Sequence, residues 1–171
     1  MDELLPKRKL KPGNPQKRRQ QRGVEWESAV RRSFRSLRPH PRLIQKLVSS
    51  GEGTPFDYLV ILPGLHHGVE CKRVQHGARL PYSALTAPER KGLSAWDGYW
   101  TPSSLLVRLD ELDEVWTVRW RDVRERVLSG ERGSIPVRGM GERIPNDGLK
   151  LDLSLYADRA FWREGVEPCG P

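Results

Sequence analysis

Asp57, Glu70 and Lys72 are the residues whose types and spacing best suit chemistry. They belong to two apolar segments that read as β-strands joined by a turn, with charge where a strand core normally has none. Because successive side chains of a strand alternate between its faces, Glu70 and Lys72 share one face and Cys71 points the other way, towards the core. Two carboxylates from neighbouring strands can hold a hard divalent cation such as Mg²⁺ through oxygen. Lys72 would then stand beside an attacking water or a phosphate as a fixed positive charge, so the pattern predicts metal-assisted phosphodiester hydrolysis.

An alternative is an ordinary β-hairpin in which Glu70 and Lys72 face water as a charged pair. The turn before them, through His66 and His67, is predicted to be polar, and the histidines lack a spacing typical of a zinc site. A second acid-x-lysine triplet, 89–91, lies in a predicted helix, where positions i and i+2 do not face each other. The first triplet is therefore the candidate site.

A helix upstream of these strands carries a further acid. Trp26, Val30 and later apolar residues recur at three- and four-residue steps, which predicts an amphipathic helix. The helix starts near Gly23 and ends before Pro39. Glu27 lies at the edge of the apolar stripe. It is either a third carboxylate that leans towards Asp57 and Glu70 or a solvated residue near the positive end of the helix dipole.

The strands and helices predicted around these residues indicate an α/β fold with a mixed central sheet flanked by helices. We expect a short helix at Arg121–Leu128, loops over 130–148, and a strand at Gly148–Tyr156, after which Phe161 and Trp162 dock the end of the chain. The five strands expected in the central sheet are Arg42–Val48, Asp57–Leu62, Val69–Arg73, Ser104–Leu109 and Val115–Trp120.

The net charge of +8 comes largely from one segment near the start of the chain. Residues 7–22 contain no acid, and Pro12, Gly13 and Pro15 argue against a continuous helix there. We predict a flexible basic arm over 1–22 that neutralises phosphates without reading sequence, the alternative being a solubilising tail. Its basic residues are Lys7, Arg8, Lys9, Lys11, Lys17, Arg18, Arg19 and Arg22. Arg73 and Arg79 are further candidates for DNA contact, or else solvated surface charges.

Length and composition fit one domain of a soluble protein. After the arm, residues 23–171 form a single domain whose segment 130–171 is a loop-rich extension. No apolar run approaches a membrane span, and the basic N-terminus does not resemble a signal peptide. Cys71 and Cys169 have no spacing typical of a disulfide framework, so we expect a cytoplasmic protein that is not secreted.

The motif resembles that of the PD-(D/E)xK nuclease superfamily, with Thr54-Pro55-Phe56-Asp57 followed by Glu70-Cys71-Lys72. One residue separates Pro55 from Asp57. The order of several elements resembles that of Holliday junction resolvases of the archaeal type, whose relatives of the bacterial RecU type share the same core. These elements are a basic N-terminal segment, Gly23, Glu27, and Ser50-Gly51 before the acidic strand. The resemblance covers roughly residues 22–120.

This resemblance implies a restriction-endonuclease-like core and a homodimer that resolves four-way DNA junctions in recombination and repair. Glu27, Asp57 and Glu70 would be the metal-site acids, with Mg²⁺ as the cofactor and Mn²⁺ as a substitute. Lys72 would be the catalytic lysine, and Ser50, or its neighbour Ser49, a serine near the scissile phosphate. Two alternatives stay open: another PD-(D/E)xK nuclease of the repair or restriction type, and a non-catalytic basic DNA-binding protein.

Overall fold

The structure, a computed structural model, describes residues 15–48, 53–130 and 132–165, with side chains from residue 20 onward. The helices are α1 (Pro15–Ser36), α2 (Ala87–Trp96), α3 (Trp120–Leu128), α4 (Val137–Met140) and α5 (Arg159–Arg163), with 3₁₀ turns at Tyr82–Ala84 and Ser154–Ala157. The strands are β1 (Leu43–Lys46), β2 (Tyr58–Leu62), β3 (Leu65–Val74), β4 (Arg79–Pro81), β5 (Ser103–Leu109), β6 (Glu114–Arg119), β7 (Ser134–Pro136), β8 (Glu142–Ile144), β9 (Asn146–Asp147) and β10 (Lys150–Leu151).

A mixed six-stranded sheet forms the centre of the protein, in the order β1-β2-β3-β5-β6-β8. Strands β3 and β5 are parallel and every other pair in the sheet is antiparallel. A parallel pair needs a crossover connection, and α2 provides it between β3 and β5. The predicted α/β class, with helices flanking a mixed sheet, is confirmed. Each of the five predicted strands is present, although β3 begins four residues earlier than predicted.

Helix α1 covers one face of the sheet. Its apolar positions Trp26, Val30 and Phe34 recur once per turn and are almost fully buried, as the spacing predicts. They pack against alternate residues of the strands, including Val60 of β2 and Leu106 of β5, and we call this cluster the α1-side core.

The opposite face of the sheet is covered by α2 and α3. Leu105 and Val107 point to this side from β5 and meet Leu93 of α2 together with Trp120 and Val123 of α3. We call this cluster the α2-side core. Because the two cores use alternating residues of the same strands, the central strands read as nearly continuous apolar runs.

Helix α1 begins earlier than predicted. Residues 15–22, expected to belong to a flexible arm, are helical and continuous with the amphipathic part. Pro15 does not interrupt the helix because it occupies the first position, where no intrahelical N–H bond is needed. The helix ends at Ser36, just before Pro39, as predicted.

The prediction of a polar turn at His66 and His67 is wrong. The chain turns at Pro63-Gly64, where Gly64 takes φ +77°, and β3 already begins at Leu65. His67 is fully buried, and its Nε2 lies 2.8 Å from the Tyr156 carbonyl oxygen. The reason is tertiary, since aromatic residues from the far end of the chain cover this part of β3.

The segment after residue 130 contains more regular structure than predicted. Strand β8 joins the central sheet by pairing with β6, although 130–148 was expected to form loops. The long strand predicted at Gly148–Tyr156 is instead the two-residue β10 followed by a 3₁₀ turn. Trp162 is completely buried in the α1-side core and Phe161 packs against it, so these two residues dock as predicted. None of the helices in the described part of the chain is long and apolar enough to cross a membrane.

Candidate active site

The site forms where β3 continues beyond the end of its neighbour β2. Strand β2 begins at Tyr58, which pairs with Val69 of β3. Beyond Val69, the residues of β3 pair with β5 and no longer with β2. Asp57 lies at this point, and its Oδ2 accepts a hydrogen bond of 2.8 Å from the backbone N–H of Cys71. The carboxylate of Asp57 is thereby fixed beside Glu70.

Glu70 and Lys72 project from one face of β3, as strand alternation predicts, and Cys71 packs against the α1-side core on the other. Lys72 Nζ lies 2.8 Å from Glu70 Oε1, and their side chains are only 17% and 4% exposed. The alternative in which this pair faces water is therefore excluded. Burial, followed by the charge of Asp57, raises the pKa of Glu70 to about 8. Burial works against the ammonium form of Lys72, but its carboxylate partners outweigh burial and raise its pKa.

Glu27 approaches the site from α1. Its carboxylate forms an ion pair with Lys46 of β1, and its backbone carbonyl accepts a hydrogen bond of 3.0 Å from Tyr58 Oη. The pKa of Asp57 is raised first by burial and then by the charge of Glu27, with the Cys71 N–H bond acting in the opposite direction. Glu27 is thus close enough to act electrostatically on Asp57, as its position on the edge of the helix stripe predicts.

Glu89, which sequence reasoning sets aside, is also part of the site. Its Oε2 lies 2.9 Å from Lys72 Nζ, so Lys72 has both Glu70 and Glu89 as partners. The residues of the triplet 89–91 do not face each other on the helix, as the sequence predicts. The contact arises because α2 packs over β3 and presents Glu89 to a lysine from another element. The acid in the first helical turn after Thr86 is the sequence signal that could have found Glu89, and no comparable signal marks Lys46.

The donor set suits a hard divalent cation. Glu27 pairs with Lys46, Glu70 and Glu89 pair with Lys72, and Asp57 accepts from a backbone N–H. These four carboxylates and two ammonium groups carry a formal charge of −2 when all are ionised. Within the described ranges, no three His, Cys, Asp or Glu side chains stand as a ready-made metal cluster. Each carboxylate accepts from a protein donor instead, so cation binding would require these oxygens to exchange partners.

A cleft of about 330 Å³ opens beside Glu27 and Lys72. Arg73, predicted to contact DNA, lies in its wall but is committed to protein partners. Its guanidinium donates to Asp110 Oδ1 at 2.8 and 3.1 Å and to the backbone carbonyl of Arg22. Arg73 therefore ties the early part of α1 to the end of β3, while the exposed Arg22 lines the cleft.

The remaining predicted residues divide by location. Arg79 lies on β4, where its guanidinium donates to the Ser134 hydroxyl at 2.8 Å. Lys17, Arg18 and Arg19 lie in the first turns of α1. The residues that lie outside the described ranges are Ser49, Ser50, Lys7, Arg8, Lys9 and Lys11.

Compared with known proteins, the chain matches no family model and no curated protein sequence.

Proposed function

We propose that this protein is a metal-dependent, structure-selective endodeoxyribonuclease with a restriction-endonuclease-like core, which resolves four-way DNA junctions in recombination and repair. The observation that carries the proposal is that Asp57 lies beside Glu70 at the end of β3 and feels the charge of Glu27, while Lys72 is buried between two carboxylates. A purely structural role explains this arrangement poorly, because burying charged groups costs free energy even when they are paired, and apolar residues would fill the same space at no such cost.

Asp57 and Glu70, helped by Glu27, would hold Mg²⁺ through carboxylate oxygen, and Mn²⁺ would substitute. When bound, the cation supplies Lewis-acid polarisation of the phosphate and a lowered pKa for water. Asp57 is suited to this role because the Cys71 N–H orients one of its oxygens. Glu70 is suited because pairing of β3 with β5 fixes its backbone on one side, while Asp57 lies on the other.

Lys72 supplies the fixed positive charge of the site. Its ammonium is desolvated and faces the same side of β3 as Glu70, so it would offset charge that develops on the phosphate or orient the water that attacks it. A lysine in this environment acts as a preorganised charge, which costs no solvent reorganisation during the reaction.

Two features support a four-way junction as the substrate. The first is the resemblance of Gly23, Glu27, Asp57 and the 70–72 triplet to the resolvases, and the second is the basic segment within residues 1–22. Backbone contacts from that segment suit recognition of DNA shape rather than sequence. Since a four-way junction has two-fold character, we expect a symmetric homodimer that places one site on each of two opposing strands.

The test is cleavage of a labelled four-way junction and of a linear duplex of the same sequence in Mg²⁺, by wild type and by Asp57→Asn. Asparagine keeps the shape and can still accept from the Cys71 N–H, so the fold should be retained. We expect paired nicks in the junction and a loss of roughly 100-fold or more in Asp57→Asn, since even groups one shell farther from a metal contribute about 10–100-fold. The matched control is Asp147→Asn, the same change at an exposed position on β9.

Equal cutting of junction and duplex would replace the resolvase by a general nuclease of the same type. Absence of cutting in both Mg²⁺ and Mn²⁺, with DNA binding retained, would contradict the nuclease and favour a non-catalytic basic DNA-binding protein. Equal activity of Asp57→Asn and wild type would show that the chemistry lies elsewhere.

A further inference from the structure

Glu89 belongs to two local structures at once. It is the third residue of α2 and completes a capping box with Thr86, in which the Thr86 side chain accepts from the Glu89 N–H and Glu89 Oε2 accepts from the Thr86 N–H at 2.9 Å. The same Oε2 accepts from Lys72 Nζ at 2.9 Å. A carboxylate in a capping box normally needs no partner beyond the helix terminus, so the contact with β3 calls for a second explanation.

Lys72 is shared between two carboxylates of similar distance and burial. Its Nζ lies 2.8 Å from Glu70 Oε1 and 2.9 Å from Glu89 Oε2, and both acidic side chains are at most 16% exposed. An ammonium group has three N–H donors. Among the described residues, no other protein group takes the third, which leaves one donor for a substrate oxygen.

The position of Glu89 is set by close packing of α2 against the chain that leads into β2. Gly92 lies one turn after Glu89, and a Cβ at this glycine would stand 2.2 Å from the Pro55 Cβ and 2.5 Å from its backbone. Pro55 precedes Asp57 by two residues. Helix α2 therefore contacts the segment that leads to Asp57 and also places Glu89 beside Lys72.

We propose that Glu89 is a positioning residue that retains Lys72 by sharing its ammonium group with Glu70. This inference rests on the proposed function, in which Glu70 gives an oxygen to the cation. Without Glu89, Lys72 would have Glu70 as its one carboxylate partner within the described site and would compete with the cation for it. With Glu89 present, Lys72 keeps an anionic partner and stays beside the substrate when Glu70 turns to the metal.

The test compares Glu89→Ala, Glu89→Gln and Thr86→Ala by two measurements. The first is the rate at which an amine-reactive acylating reagent modifies Lys72 in the metal-free protein, followed by peptide mass spectrometry, with exposed Lys150 as internal reference. The second is kcat and KM for junction cleavage at increasing Mg²⁺. Thr86→Ala is the matched control because it breaks the capping box and leaves the Glu89 carboxylate in place.

We expect Glu89→Ala to speed modification of Lys72 several-fold, to raise the Mg²⁺ needed for half-maximal rate, and to lower kcat by roughly 10-fold to 100-fold with little change in KM. Glu89→Gln should fall between, since its amide oxygen accepts from Lys72 without a full charge. Thr86→Ala should leave both readouts near those of wild type, although it lowers thermal stability by weakening the helix terminus.

The inference is overturned if Thr86→Ala reproduces the effects of Glu89→Ala, because Glu89 then acts only through the helix terminus. It is equally overturned if Glu89→Ala leaves Lys72 modification unchanged. If the wild type cuts no DNA, the nuclease proposal fails, and the modification rates still decide whether Glu89 holds Lys72.

Discussion

Burial sets the chemistry of individual side chains in this protein. Glu70 is 3% exposed, and burial, followed by the charge of Asp57, raises its pKa to about 8. Burial also disfavours the charged form of His67, but because that form is the protonated one, its pKa is lowered, to about 3. The two residues lie on the same strand, three positions apart, yet one faces the candidate site and the other a packed aromatic cluster.

His67 gives a prediction at the residue scale. Its pKa is lowered from about 6.5 in the unfolded chain, so its contribution to stability is complete above pH 6.5 and is lost as the pH falls towards 3. A neutral His67→Gln variant can still donate to the Tyr156 carbonyl but does not titrate. Between pH 7 and pH 5, wild type should lose about 2 kcal/mol of unfolding free energy relative to His67→Gln.

Urea unfolding of both proteins at the two pH values measures this difference, and the shared titration of other groups cancels. His76→Gln is the matched control, the same substitution at a histidine whose side chain is 86% exposed. Parallel pH profiles for wild type and His67→Gln would contradict a neutral buried imidazole.

At the scale of elements, α2 organises the site. It is the crossover between the parallel strands β3 and β5, its first turn contributes Glu89, and its middle packs on Pro55. Helix α1 contributes Glu27 and is tied to β3 through the bond from Arg73 to the Arg22 carbonyl. The two helices therefore bring Glu89 and Glu27 to the site on β3, and each helix has its own attachment there.

Two glycines test the packing of these helices. Gly92→Ala should destabilise the protein by roughly 1–3 kcal/mol, because the new Cβ would clash with Pro55. The cost of this clash exceeds the gain in helix propensity from glycine to alanine. Gly23→Ala should stabilise it by about 0.5–1 kcal/mol, since this glycine of α1 has no heavy atom within 4 Å of a built Cβ. Thermal or denaturant unfolding measures both, and an equal effect of the two substitutions would refute the close approach of α2 to Pro55.

For the whole molecule, the basic segment and the site are connected by one helix. Residues 15–22 are the first turns of α1, and Arg22 lines the cleft beside Glu27. Arg22 would present a positive charge to DNA that enters this cleft. We expect binding to be dominated by phosphate contacts and to weaken steeply with salt.

A prediction follows for the first residues of the chain. Replacing Lys7, Arg8, Lys9 and Lys11 by glutamine should reduce the slope of log K against log salt for junction binding by about 3 to 4, because each phosphate that is no longer neutralised removes roughly 0.9 from the slope. The control neutralises the acids of the same segment, Asp2→Asn with Glu3→Gln, and should not reduce the slope. Fluorescence anisotropy at several salt concentrations measures both, and an unchanged slope in the glutamine variant would assign these residues a merely solubilising role.

The sequence by itself determined the features that depend on local backbone geometry. Strand alternation put Glu70 and Lys72 on one face and Cys71 on the other, and helical spacing put Trp26 and Val30 in the core. These features follow from periods of two and 3.6 residues, which hold whatever the strand or helix packs against.

Tertiary structure alone decided which distant residues meet. Glu89 joined Lys72, Lys46 joined Glu27, and Arg73 was drawn away from solvent to Asp110. His67 became a buried neutral base because aromatic side chains from the end of the chain cover it. No local period encodes these contacts, since each depends on how a helix crosses the sheet or where the chain returns, and that is set by the packing of the two cores together.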